Sequence, residues 1–355
     1  MTDFRGYPFG VIEGYFGPQW SWACRHDYAG FLCAQGFNTY VYAPKNDAYL
    51  RKAWQELHPE PEFRHLLALR AHYRRAGVAF GIGLSPFELY RDFSQDKQRL
   101  LAHKLEQLHA LELDLLCILF DDMLGSLADL AVQQLRIIEF ITERSNAKRY
   151  AVCPTYYSDD PFLTRHFGAA PAHYLQALGA GLDPAHWLFW TGQYAISPSY
   201  PAAHLQDVGA RLRRKPLLWD NYPVNDAKRL TPFLHLAPGT GREPATLRAH
   251  TGGQLCNPMN QGYLSQLPLY ALARHYRSNT ATTLNDALHA LCSPALAMLL
   301  TRDAARFQQQ GLEALDAATR MMLAEEYAAL HEEAMAQEVS AWLRGAYTFD
   351  PACLT

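Results

Sequence analysis

The run Leu116-Cys117-Ile118-Leu119-Phe120-Asp121-Asp122-Met123 decides how the rest of the chain is read. Five apolar residues lead without interruption into two adjacent carboxylates. An apolar run of this length bounded by polar residues is expected for a strand buried on both faces, as in a parallel sheet. Two acids at its carboxyl end place negative charge at the rim, where α/β barrels and open α/β sheets keep their chemistry. Successive side chains on a strand point to opposite faces, so both carboxylates reach one pocket only if the chain turns just past the strand. A plainer alternative stays open at this point: one aspartate caps the next helix and the other is solvated.

Working outward, seven more apolar or aromatic runs recur at a spacing of roughly 30 to 40 residues. They are Phe9–Gly14, Thr39–Pro44, Ala79–Ser85, Tyr150–Pro154, Trp187–Trp190, Pro216–Asp220 and Gln254–Asn257. Helices are expected between them near 21–35, 62–76, 172–179, 202–214 and 264–277. Another helix starts at the candidate N-cap Ser94 and carries Leu101, Leu105 and Leu108 on one face. A further one turns Leu130, Leu135, Ile138 and Ile141 inward. Residues 227–250 read as an irregular connection. Strict alternation of strand and helix implies parallel strands with right-handed crossovers. Eight such units make an α/β fold of the (β/α)8 TIM-barrel type, with a doubly wound open sheet as the alternative. Residues 1–278 are thus expected to form a barrel domain and 279–355 a small C-terminal α-helical domain. Pro294 and Gly311 punctuate the latter into two or three helices, with its Met and Leu positions in the core.

The composition narrows the function. Hydrophobic residues make up 49% of the 355 and charged residues 19%, the balance of a globular protein. A formal net charge of −3 argues against a nucleic-acid partner. No apolar run reaches the roughly 20 residues needed to span a bilayer, so no membrane partner is expected. The start, Met1 to Gly6, lacks the apolar core of a secretory signal, and a cytoplasmic location is expected. Seven cysteines without a CxxC pair read as reduced thiols. There is no HExxH, no Walker A pattern and no complete GxGxxG. The 15 histidines fall mostly in helices and loops, so neither a metal nor a cofactor is expected.

Every strand end carries polar or aromatic groups, rich in Asp, Asn, Tyr and Trp. Sugar pockets need that mixture, with carboxylates and amides for hydroxyls and aromatic rings for apolar C–H faces.

The ordered motifs add a resemblance. Gly10-Val11-Ile12-Glu13-Gly14-Tyr15-Phe16-Gly17, Tyr42-Ala43-Pro44-Lys45-Asn46-Asp47, Phe120-Asp121-Asp122 and Cys153-Pro154-Thr155 come first. Trp190-Thr191-Gly192, Trp219-Asp220-Asn221, Asn225-Asp226 and Asn257-Pro258 follow. Together they resemble the catalytic domain of family 84 glycoside hydrolases, the O-GlcNAcase-type β-N-acetylglucosaminidases. The resemblance implies an exo-acting, retaining enzyme whose substrate supplies its own 2-acetamido group as nucleophile, giving an oxazoline. Asp121 would hold the acetamido N–H, and Asp122 would be the general acid and then the general base. Tyr157, Thr191 and Trp219 match positions lining the acetamido pocket. Gly14, Lys45, Asn221, Asp226 and Asn257 match positions that hold the sugar hydroxyls. The implied partner is a β-N-acetylglucosaminide on a glycoprotein, a glycan or a small glycoside.

The chain departs from the family pattern at Asn46, at Tyr156, at Pro223-Val224 and at Met259-Asn260-Gln261. These departures place the differences around the aglycone and O6. Two other classes remain in view: a non-hydrolytic N-acetylhexosamine-binding barrel, and a metal-dependent barrel hydrolase with Asp121 and Asp122 as ligands.

Overall fold

Each of the eight apolar runs becomes a parallel strand: β1 Phe9–Ile12, β2 Thr39–Tyr42, β3 Ala79–Leu84, β4 Leu115–Leu119, β5 Tyr150–Cys153, β6 Trp187–Trp190, β7 Leu217–Asp220 and β8 Gly253–Cys256. In this computed structural model they pair in chain order, and β8 returns to β1, so the barrel is closed and the open sheet is excluded. Residues 6–351 and 353 are described; the run Met1 to Arg5, read above for its lack of a signal core, lies outside them.

The burial follows from closure. Ile12, Val41, Leu115, Cys117, Leu119, Ala151, Phe189, Leu217 and Leu255 form one apolar cluster. The alternate residues Leu116 and Ile118 are fully buried as well, which is why the run is apolar without interruption.

Helices occupy Trp22–Gln35, Glu60–Ala76, Gln95–His109, Leu130–Arg144, Tyr174–Gly181, Ala202–Leu212 and Gly262–Ser278, near the expected places. Two further helices, Pro161–Phe167 and Pro244–His250, were not legible. Each is about two turns, too short to display a periodic stripe, though each opens with proline in its first turn. Ser94 stands at the expected N-cap position, but its side chain makes no capping bond. In Leu130–Arg144 the expected Leu130, Ile138 and Ile141 are buried, but Gln134 is fully buried among them and Leu135 is only half-buried.

The C-terminal segment holds four α-helices among the described residues, not two or three: Leu284–Leu291, Pro294–Ala305, Ala317–Ala328 and Ala334–Leu343. The last break, at Ala329–Glu333, contains no Gly or Pro to announce it. Met321 and Met322 are exposed rather than core; Leu323, Ala324 and Tyr327 take the inward places.

By packing, the described chain forms two compact units. One holds the residues through Gly14 together with Phe37–Asn221 and Gly241–Cys256, and contains all eight strands. The other gathers Tyr15–Gly36, Tyr222–Thr240 and the residues from Asn257 onward. The helices on both sides of residue 278, Gly262–Ser278 and Leu284–Leu291, lie in this second unit. Its core joins Leu264 and Leu267 to Leu288, Leu300, Phe307, Tyr327 and Trp342. Glu338 of the last helix accepts the backbone N–H groups of Tyr263 and Leu264 at 3.0 and 2.8 Å, capping the start of Gly262–Ser278. No helix among the described residues is long and apolar enough to cross a membrane.

Candidate active site

The site starts where the β4 ladder stops. Phe120 N–H donates to the Cys153 carbonyl at 2.9 Å, the last bond of that edge, and Asp121 is the first residue beyond it. Asp122 then adopts φ +55°, the left-handed region, which costs an L-residue about 1 kcal/mol and is best tolerated by Asp, Asn and Gly. This is the turn that the adjacent carboxylates require.

The two acids have different surroundings. Asp121 is buried; Lys45, from the loop after β2, forms a buried ion pair with its Oδ2. Its Oδ1 is buried with no hydrogen-bond partner. Such an acceptor is costly unless something donates to it, so there is capacity here for one further N–H or O–H donor. Asp122 keeps partial access to solvent and accepts a hydrogen bond from the Tyr157 hydroxyl at 3.0 Å. Burial among surrounding protein atoms, and then the charge of Asp121, raise the Asp122 carboxyl above the usual range. Lys45, Arg51 and the Tyr157 hydroxyl pull the other way without cancelling that rise. Burial and both aspartates push the Tyr157 phenol well up, so it remains a donor. One acid is thus tied to a cation, and the other has its carboxyl raised.

Trp219, at the end of β7, connects the remaining side. Its indole N–H donates to Asn221 Oδ1 at 2.9 Å, and Asn221 donates onward to the Ala195 carbonyl at 2.7 Å. The Lys45 ammonium lies 5.6 Å from the centre of the Trp219 ring. Gly14 packs so closely that a Cβ there would fall 2.0 Å from Trp219 Cζ2. Thr191 N–H donates to the Tyr157 carbonyl at 2.9 Å, and its hydroxyl donates to the Tyr194 carbonyl at 2.9 Å.

Gly14, Lys45, Asp121, Asp122, Tyr157, Thr191, Trp219 and Asn221 therefore form one chain of contacts. Asp226 and Asn257 belong to the second unit. There the Asp226 carboxylate accepts from Phe16 N–H at 2.8 Å, and the Asn257 carbonyl accepts from Val224 N–H at 3.0 Å. Two departures from the family pattern have structural work nearby. Asn260 donates to the carbonyls of Phe16 and Pro18, and Gln261 accepts from Asn225.

Some supporting residues were missed. Thr155 donates its hydroxyl to the Phe120 carbonyl at 2.9 Å and accepts from Gln134 at 2.9 Å; the Tyr174 hydroxyl closes the ring by donating to Gln134 and accepting from Thr155 N–H. A glutamine inside the apolar stripe of Leu130–Arg144 was the available signal. Asp220 was passed over beside Trp219 and Asn221. It is fully buried and accepts from Arg242, Tyr200 and Gln254.

The closed barrel, together with the family its sequence matches, places the chain among the glycoside hydrolases. The family model for β-N-acetylglucosaminidases matches residues 9–308, and the chain belongs to that family, glycoside hydrolase family 84. Protein O-GlcNAcase of Mus musculus is 29% identical over 285 residues, and that of Rattus norvegicus equally so. These alignments cover 78% of this chain and 30% of each relative, so the chain spans under a third of the mammalian proteins' length. An O-GlcNAc hydrolase mutant of Thermobaculum terrenum aligns with a TM-score of 0.75 at 27% identity, covering 96% of this chain and 81% of that one.

Proposed function

We propose that the protein is a retaining exo-β-N-acetylglucosaminidase that removes terminal β-linked N-acetylglucosamine with the help of the substrate's own acetamido group. The carrying observation is the unpartnered, buried Oδ1 of Asp121 beside a raised Asp122 carboxyl. Asp121 Oδ1 accepts the acetamido N–H, which aims the carbonyl oxygen at the anomeric carbon. As that C–O bond forms, the glycosidic bond breaks, and Asp122 gives its proton to the departing oxygen. The positive charge of the resulting oxazolinium ion rests against the Asp121 carboxylate. Asp122, now ionised, takes a proton from water as the water oxygen attacks the anomeric carbon. The C–O bond to the acetamido oxygen breaks in the same step, its electron pair returning to the acetamido group, and the sugar leaves with its configuration retained. This differs from retaining enzymes in which a second carboxylate is the nucleophile. Tyr157, Thr191 and Trp219 wall the acetamido group. Gly14, Lys45, Asn221, Asp226 and Asn257 are assigned to the sugar hydroxyls. The substrate class is an O-GlcNAc-type β-N-acetylglucosaminide.

Fluorination of the acetamido methyl tests the nucleophile. Each fluorine withdraws electrons from the carbonyl oxygen, so kcat for aryl 2-acetamido, fluoroacetamido, difluoroacetamido and trifluoroacetamido glucosides is expected to fall stepwise, by more than about a hundredfold overall. A flat series would reject participation by the acetamido group and favour an enzyme nucleophile.

The contact between Gly14 and Trp219 makes a second test. Gly14→Ala forces the indole ring to move, and kcat/KM for an aryl β-N-acetylglucosaminide is expected to drop at least about tenfold while far-ultraviolet circular dichroism stays unchanged. Full activity would mean that the Trp219 position does not matter to the reaction.

A further inference from the structure

Arg51 reaches the acid pair from the loop after β2, and neither the composition nor the motifs single it out. Its backbone is held on both sides: its N–H donates to the Ala48 carbonyl at 3.1 Å, and its carbonyl accepts from Trp54 N–H at 3.3 Å. Trp54 is itself buried, and the neighbouring Leu50 carbonyl accepts from Ser85 N–H at 2.7 Å. The Ser85 hydroxyl donates in turn to the Leu119 carbonyl at 3.1 Å, so this loop is tied to the end of β4 by a second route. The guanidinium is 4.8 Å from the centre of the Phe87 ring, and the residue is only 4% exposed. One N–H of that guanidinium, on Nη2, donates to the backbone carbonyl of Asp122 at 3.3 Å.

We propose that Arg51 is a positioning residue for the reaction, holding Asp122 in its left-handed turn and keeping a fixed positive charge beside its carboxylate. This rests on the reading of Asp122 as the proton donor. Two needs meet at Asp122. Its φ of +55° carries a modest cost even for an aspartate, so a contact on its backbone helps to keep the carboxylate aimed. Its carboxyl is also raised by burial and by Asp121, which keeps the proton in place before the first step but opposes the ionised form that proton transfer leaves and the second step uses. The charged and titratable groups that act on it are Asp121, Lys45, Arg51, the neutral Tyr157 phenol and the Cys153 thiol. Lys45 is committed to Asp121 by an ion pair, leaving Arg51 as the cation that addresses Asp122 through its own backbone. A lysine at 51 would keep the charge but lose the planar fork that fits between a carbonyl and the Phe87 ring.

The test compares wild type, Arg51→Lys and Arg51→Met on 2,4-dinitrophenyl and phenyl β-N-acetylglucosaminides, together with a carbon-13 NMR titration of the Asp122 carboxyl. Departure of dinitrophenolate needs no proton, whereas phenol departure does. Arg51→Met is expected to lose about tenfold or more in kcat on the phenyl substrate and about twofold or less on the dinitrophenyl substrate. Removing a cation makes the ionised carboxylate less favourable, so the Asp122 midpoint and the basic limb of the pH–rate profile should both move to higher pH. Arg51→Lys, which retains the charge, should leave the midpoint near that of wild type while losing part of the phenyl rate. Equal losses on both substrates with an unmoved midpoint would overturn the proposal. A wild type inactive on both substrates would reject the glycosidase reading instead. In that case the titration alone decides: an unmoved Asp122 midpoint in Arg51→Met rejects the role of Arg51, and a raised one upholds its coupling to Asp122.

Discussion

The Asp121→Asn variant is expected to lose turnover of aryl β-N-acetylglucosaminides by about a hundredfold to a thousandfold, and by the same factor for good and poor leaving groups. The reason lies in the two oxygens of Asp121. One is held by Lys45, and the other is a buried acceptor without a partner. An asparagine must turn its NH2 group either toward the Lys45 ammonium or toward the substrate's N–H, and each choice sets donor against donor. It also removes the negative charge on which an oxazolinium ion would rest. The Asp122→Asn variant should behave differently, with a small loss on dinitrophenyl substrates that grows with the basicity of the leaving group. Asparagine tolerates the left-handed conformation at 122, so the comparison tests chemistry rather than folding. Both variants are read from kcat on the same pair of substrates. Turnover like that of wild type in both would sink the assignment of roles, and a leaving-group dependence in Asp121→Asn alone would reverse it.

Replacing Asp220 by alanine is expected to destabilise the protein by about 3–5 kcal/mol, seen as a lower denaturant midpoint for loss of barrel structure. Asp220 and Arg242 form a buried pair with a 2.6 Å contact, and Tyr200 and Gln254 donate to the same carboxylate at 2.8 Å each. Alanine leaves the Arg242 guanidinium buried without a counter-charge and two neutral donors without an acceptor. Replacing both members of the pair, as Asp220→Leu with Arg242→Met, should recover most of the loss, because the uncompensated charge is then gone. A change under about 1 kcal/mol for Asp220→Ala would show that the pair contributes little to stability.

The same positions explain what could be read in advance. The strands were legible because a parallel barrel buries both faces, leaving unbroken runs such as Leu116 to Phe120. The acid pair was legible because polar residues at strand ends share one rim. The turn that lets the two acids diverge was not, since nothing in apolar spacing encodes φ at Asp122. Gln134 was hidden by the stripe it interrupts, and Asp220 by standing between two residues already assigned to sugar. Arg51 escaped because a charged residue in a loop reads as solvated until its neighbours are known. The methionines at 321 and 322 misled in the opposite sense, because outward apolar side chains are ordinary on a folded surface.

The cap that Glu338 places on Gly262–Ser278 has a consequence for how the molecule is made. Glu338 follows Tyr263 by 75 residues, so on the ribosome that helix emerges long before the carboxylate that satisfies its first amides. Until the last helix arrives, the start of Gly262–Ser278 must bond to water and its Leu264 and Leu267 face must wait for its partners. A nascent or protease-clipped chain that ends shortly after Ser278 would carry the complete set of eight strands but not this closure.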